Sequence, residues 1–442
     1  MFALVGAISA ALYGVNFNAI RTVIGPEDAQ VLRTYPLLFA VLFLLYLAGV
    51  WLGWSGGRRV AIAAVGLGLL FRLLLLPTPV VLSSDLYRYL WDGRVQLAGI
   101  NPYRYAPQDE ALGGLRDPEI HPRINRPWAP TIYPPGAEML FAALAWIAPG
   151  RIGALRLFLT LCELATMFLL LGLLRRLGLP EGRVVVYAWA PLPIFEFAQG
   201  GHIDAALIPL VLLALRCRIA GRTGRAGFLL GAATLVKLYP AAILPVLWKR
   251  GDGRLPLAFA ATILAGYFPY ARGVGGKVAG FLPTYFARLE DFNVGLRLFL
   301  TEDIGLVGDG ARGAVMAILA AGLGLTLLLI GRGRAETPPG IARAAGAAVG
   351  SYLLLVPATM HPWYVAWLVP FLAILPGIGW WYFSAAVALS YTGYAVDPHQ
   401  VPLWARCVEY LPAYALVLLG LRANGPWPAW IPGAPVRPKT SP

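Results

Sequence analysis

The chain has 442 residues, 58% of them hydrophobic and only 13% charged. A soluble domain carries about 25% charged residues, so the composition argues against an ordinary soluble enzyme and for a polytopic membrane protein. The formal charge of +14 rests on 36 lysines and arginines, mostly in short loops between apolar runs, which topology and lipid headgroups explain better than nucleic acid does.

The N-terminal stretch MFALVGAISAALYG lacks a basic leader and reads as a retained first span rather than a cleavable signal peptide. A helix needs about 20 apolar residues to cross a bilayer. Candidate spans are 2–20, 35–54, 60–82, 134–149, 154–174, 184–198, 203–220, 226–248, 255–271, 311–330, 341–358, 363–376, 378–395 and 402–422. Some are short or broken by proline, so the expectation is an all-α protein of about 12 to 14 membrane helices. Residues 1–59 form two N-terminal helices, 60–422 the main membrane domain, and 423–442 a Pro-rich tail. Two connections are long, 83–133 and 272–310. Cys162, Cys217 and Cys407 lie in or beside apolar segments, far apart, and read as packing residues.

The basic clusters at 56–59, 175–183, 216–225, 249–254 and 332–336 belong on the cytoplasmic side. Both long loops then fall on the outer face. So do GGHID (200–204), KLYP (237–240), MHPWY (360–364) and DPHQ (397–400). This map requires 134–174 to make one net crossing. It also requires 226–248 to break near Lys237–Pro240, where Pro240 and Pro245 remove helix hydrogen bonds.

The first long loop opens with SSDLYRYLWDGRV (83–95). Ser83 and Ser84 can cap a helix beginning near Asp85. On it, Asp85 and Asp92 share a face with Arg88 between them, and Tyr87, Leu90 and Trp91 form an apolar face. A carboxylate at the rim of a span is suited to take a proton. The bland alternative is an amphipathic surface helix with an Arg–Asp pair. Further along, Tyr103, Tyr105, Trp128 and Tyr133 suit headgroups or sugar faces. Arg94, Arg104, Arg116, Arg123 and Arg126 run against the positive-inside bias, which an anionic phosphate ligand would explain. The plainer explanation is that long loops escape that bias.

His202, Asp204, Lys237 and His361 stand at the ends of apolar spans or within them. Ionisable groups at membrane depth tend to face a polar cavity. The competing readings are a snorkelling Lys237 and hydrogen-bonded packing histidines. Glu163 and Glu196 also lie in apolar runs, with no role evident from the sequence. No Walker A, dinucleotide or H-E-x-x-H motif is present.

The run SDLYRYLWDGRVQLAGINPYRYAP (84–107), followed by IYPPG (132–136), resembles the polytopic GT-C glycosyltransferases, and among them the bacterial polyprenol-phosphate-mannose-dependent α-mannosyltransferases. APLPIFEFAQGGHIDA (190–205), VKLYP (236–240) and HPWYVAWLVPFL (361–372) resemble further blocks of that branch. The resemblance spans roughly 60–420 and implies a catalytic membrane domain that takes its sugar from a polyprenyl-phosphate donor. The acceptor is a glycan or glycolipid, the site faces the extracytoplasmic side of a bacterial plasma membrane, and no metal or cofactor is called for. An acidic residue early in the first large outer loop serves such enzymes as base. That role falls on Asp85, with Asp92 in reserve. The family usually begins this loop after its first helix, whereas here two extra spans come first. Single displacement would invert the anomeric centre. Arg88, Arg94 and Lys237 are candidates to neutralise the donor phosphate, with His361 holding phosphate or acceptor. Tyr87, Tyr103 and Trp363 are candidates for sugar packing, and His202, Asp204 and Tyr239 complete the substrate-binding set.

A transporter or flippase for a lipid-linked sugar is the alternative, since it would use the same intramembrane ionisable groups and broken helices. The long charged loop and the lack of an internal repeat favour the transferase.

Overall fold

The computed structural model describes residues 1–20, 29–287, 292–305, 308–355, 359–375, 377–395 and 400–422. The Pro-rich tail and most of DPHQ lie outside the described residues. Among the described residues the fold is all-helical, apart from an isolated parallel bridge between Phe292 and Thr359.

The N-terminal helices are α1 (Phe2–Ile20), α2 (Ala29–Gly53) and α3 (Arg58–Leu75). α3 ends well before residue 82, because Pro77 and Pro79 follow it. The loop helix α4 (Asp85–Leu97) packs on α5 (Pro135–Ile147). The crossing is so close that a Cβ at Gly93 would collide with the Phe141 carbonyl. α6 (Ile152–Arg176) is followed by short turns that end in a π-helical stretch, Ile194–Gln199. α7 (Asp204–Ile219), α8 (Thr223–Val236) and α9 (Arg254–Val274) pack side by side, with α8 between the other two. Between α8 and α9 the chain breaks where expected. Lys237 is extended and a 3-10 turn covers Tyr239–Ile243. α10 (Asp309–Gly333), α11 (Pro338–Leu355), α12 (Ile378–Ala386) and α13 (Leu403–Arg422) complete the long elements, with short helical pieces over 362–372 before α12.

Among the described residues, four helices are long and apolar enough to cross a membrane: Thr34–Gly53, Ile152–Arg176, Gly310–Gly333 and Leu403–Gly420. The outer surface is apolar, with Leu37, Leu44, Trp146, Leu264, Phe268 and Ile318 all exposed. Some charge lies inside. Arg72 and Glu163, both fully buried, pair at 2.7 Å, and Arg72 also donates to the carbonyls of Gly68 and Ala188. Such a pair is kept because losing one partner strands the other charge, at a cost of about 3–5 kcal/mol. The pairing gives Glu163 a structural role. The chain is a polytopic helical membrane protein.

The helices separate two kinds of end. At one, the basic clusters meet. Gly182 donates to the Gly56 carbonyl, Arg218 pairs with Glu336, and Thr223 donates to Asp252. α7 and α8 run from this end to the other, a rise of roughly 20–24 Å at about 1.5 Å per residue. At the far end stand His202, Asp204 and Lys237.

Candidate active site

α4 brings Asp85 to the site. Its first turn is fixed by Ser83, whose hydroxyl accepts the Asp85 backbone N–H at 3.2 Å, while Ser84 makes no side-chain cap. The preceding Leu82 has φ 69°, a left-handed conformation that costs a non-glycine residue about 1–3 kcal/mol. Asn125, from the following loop, donates to Asp85 Oδ1 at 2.6 Å. α4 is not a surface helix: every residue from Leu86 to Gly93 is buried.

The turn GGHID lays His202 against Asp85. Gly201 has φ 78°, and Leu86 leaves no space there for a Cβ, so both conformation and contact require glycine. His202 Nδ1 lies 3.8 Å from Asp85 Oδ2, and Nε2 lies 3.5 Å from Glu196 Oε2. Tyr391 donates to Glu196, at 2.9 Å from each carboxylate oxygen. The imidazole is stacked on Trp363 at 3.8 Å and 15°. The other face of Trp363 carries His361 at 4.2 Å and 7°, and His361 is stacked in turn on Phe292. The Phe292 carbonyl accepts the Met360 N–H at 2.9 Å, which ties the second long loop to this stack.

Lys237, freed from α8 by the break, reaches Asp204 Oδ2 at 3.3 Å. Tyr239 donates to Asp204 Oδ1 at 2.6 Å. The Lys237 ammonium lies over the rings of Tyr133 and Tyr364, at 5.5 and 4.9 Å. Lys237 and Arg126 are both near enough to His361 for their charges to act on it. Burial, with Asp85 nearby, pushes the Tyr133 phenol well above its usual range, so it remains a neutral hydrogen-bonding group.

Thus Asp85, His202, Asp204, Lys237, Tyr239, His361 and Trp363 come together. Other candidates do not join them as expected. Arg88 and Asp92 are bound to each other: Nε donates to both carboxylate oxygens at 2.8 and 2.9 Å, and Arg88 also donates to the Ala129 carbonyl. Arg94 is held by Asp117 and the Leu115 carbonyl. The three rings expected against sugar are packed into protein. Tyr87 is buried under the Arg123 guanidinium, Tyr103 donates to the Tyr133 carbonyl, and both faces of Trp363 are covered by histidines. Sequence reasoning missed Asn125, Tyr364 and the position of Glu196. A carboxylate in the apolar run IFEFAQ was the available signal for the last.

The site is thus a set of buried and half-buried ionisable and aromatic groups at one end of a helical membrane protein. Residues 1–249 match the family described as alpha-(1->6)-mannopyranosyltransferase, N-terminal domain. The chain belongs to this family, which makes it a membrane glycosyltransferase as the sequence motifs implied. The match takes in α1 and α2 together with the first outer loop and α7. No curated protein sequence matches significantly. Among solved structures, ArnT from Cupriavidus metallidurans, crystallised with undecaprenyl phosphate, is similar at 16% identity and a TM-score of 0.45, covering 82% of this chain and 77% of that one.

Proposed function

We propose that the chain transfers mannose from a polyprenyl-phosphate donor to a glycan or glycolipid acceptor, with inversion, at the extracytoplasmic face of a bacterial plasma membrane. Asp85 is the base. The observation that carries this is its setting. Beside the carboxylates packed around it, its side chain keeps 19% exposure, against 0% for Asp204 and 2% for Glu196 and Asp92. Asn125 holds one of its oxygens and His202 stands behind the other.

The acceptor hydroxyl gives its proton to Asp85 as its oxygen bonds to the anomeric carbon. The bond from that carbon to the phosphate oxygen breaks, and the electron pair leaves with the phosphate. Lys237 and Arg126 supply positive charge near the site, and stabilising charge that develops on a leaving group is the larger part of such catalysis. A positioned base contributes about 10²–10⁴-fold. Tyr133 and Tyr364, beside Lys237, take the place of Tyr87, Tyr103 and Trp363 as the rings nearest the reacting groups.

The test uses purified protein in proteoliposomes with radiolabelled polyprenyl-phosphate mannose and a crude membrane glycan fraction. Label appearing in the acceptor supports the transferase. Label moving between leaflets without transfer points to a flippase instead.

A further inference from the structure

Glu196 is a carboxylate beside the site that the proposed reaction leaves unused. It is enclosed in the protein, yet it lies in line with the base. His202 stands between them, with no exposed surface and one ring nitrogen toward each carboxylate. A neutral imidazole has one N–H and one lone pair. It can therefore donate to one carboxylate while its lone pair faces the other. The Glu196 end is closed, because Tyr391 already donates to both oxygens of that carboxylate. The Asp85 end opens toward the acceptor. Trp363 and the buried turn around Gly201 fix the ring in this orientation.

We infer that His202 is a positioning residue for Asp85, which accepts the proton that Asp85 takes from the acceptor and holds the resulting imidazolium against Glu196. The inference rests on the reading of Asp85 as the base. The proton balance is closed. The acceptor O–H proton passes to Asp85 Oδ2 and then to His202 Nδ1, 3.8 Å away, while Nε2, 3.5 Å from Glu196, keeps its own proton. Asp85 is again a carboxylate, and the imidazolium later returns its proton to solvent through Asp85. An imidazolium in this enclosed place needs a counter-charge, which Glu196 supplies at 3.5 Å. The other charged and titratable groups around the ring are His361 beyond Trp363, with Arg126 acting on it, and the Lys237–Asp204 pair. The positive charge of Lys237 acts against an imidazolium at this ring, so the pair does not replace Glu196.

The experiment measures the pH dependence of kcat for sugar transfer by wild type, His202→Gln, Glu196→Gln and Asp85→Asn, each reconstituted in lipid and checked for folding by thermal unfolding. His202 must be unprotonated to accept the proton, so the acid limb of the wild type is set by the first protonation of the Asp85–His202 pair. His202→Gln should therefore lower the plateau of kcat roughly tenfold and move the acid limb to lower pH. Glu196→Gln should move it in the same direction by less. An unmoved limb with a uniformly lowered rate in His202→Gln overturns the relay. If His202→Gln does not fold, an unmoved limb in Glu196→Gln does so. Asp85→Asn separates the two claims. Transfer retained in that variant removes the base and the relay together, whereas transfer lost with unmoved limbs in the others removes the relay alone.

Discussion

Arg88 grips Asp92 through its Nε, at 2.8 and 2.9 Å from the two carboxylate oxygens, one helical turn along α4. Both side chains are nearly fully buried, at 7% and 2% exposure. Asp92 is therefore committed to the fold, and the two aspartates of this helix part in role. Asp92→Asn should leave Arg88 stranded and lower stability by about 3–5 kcal/mol, measured by thermal unfolding in detergent. The fraction that folds should keep its transfer activity. A stable Asp92→Asn variant without activity would move the base to Asp92.

The ion pair of Lys237 with Asp204 makes a second test. Lys237→Met leaves Asp204 buried beside Tyr239 with no cation, at a cost of about 3–5 kcal/mol. Adding Asp204→Asn should restore the unfolding temperature. Transfer should remain low in the double variant, because the charge near the donor phosphate is gone. Recovery of both would make the pair purely structural.

Arg156 ties the turn before α4 to the turn before His202. It donates to the carbonyls of Leu76, Thr78 and Pro79, and to that of Gln199. Arg156→Met leaves these buried carbonyls unsatisfied, each costing about 1–3 kcal/mol. The expected outcome is a fall of several degrees in unfolding temperature together with a lower kcat, since Asp85 and His202 both hang from this junction. Unchanged stability would contradict it.

The outer loop carries a pH signature. Burial pushes the Asp117 carboxyl up, but the Ile120 backbone N–H and the Arg94 guanidinium outweigh it and hold the group below its usual range. A depressed carboxylate contributes stability that is present above its unfolded value and lost as pH falls through the folded one. The loop should therefore resist acid-stable protease above about pH 4 and become cleavable below it. Asp117→Asn should be cleavable throughout and lose this pH dependence.

Much of this was legible in the sequence, because apolar length and proline placement govern helices in lipid. The break at Lys237 followed from Pro240 and Pro245, and the helix start at Asp85 from Ser83, while Ser84 makes no cap. Residue types also marked out which ionisable groups mattered. What the sequence did not carry was partner choice. Arg88, Arg94 and Lys237 look alike as basic residues near aromatic rings. The loop packed over α4 decides that Arg94 meets Asp117, and the packing of α7 on α8 that Lys237 meets Asp204, whereas the Arg88–Asp92 pair one turn apart on α4 was readable. Trp363 shows the same limit. An aromatic beside a histidine suggests a sugar platform, yet one face is taken by His361, two residues before it, and the other by His202, which arrives from a distant segment.

The central claim is that Asp85 is the base, and Asp85→Asn tests it most directly. The exchange keeps the shape and the Asn125 contact while removing the charge. Transfer of radiolabelled mannose from polyprenyl phosphate is compared between wild type and variant, both folded and reconstituted in lipid. A loss of roughly 10²-fold or more in kcat, with donor binding retained, is the result predicted. A variant that transfers sugar at the wild-type rate would contradict it.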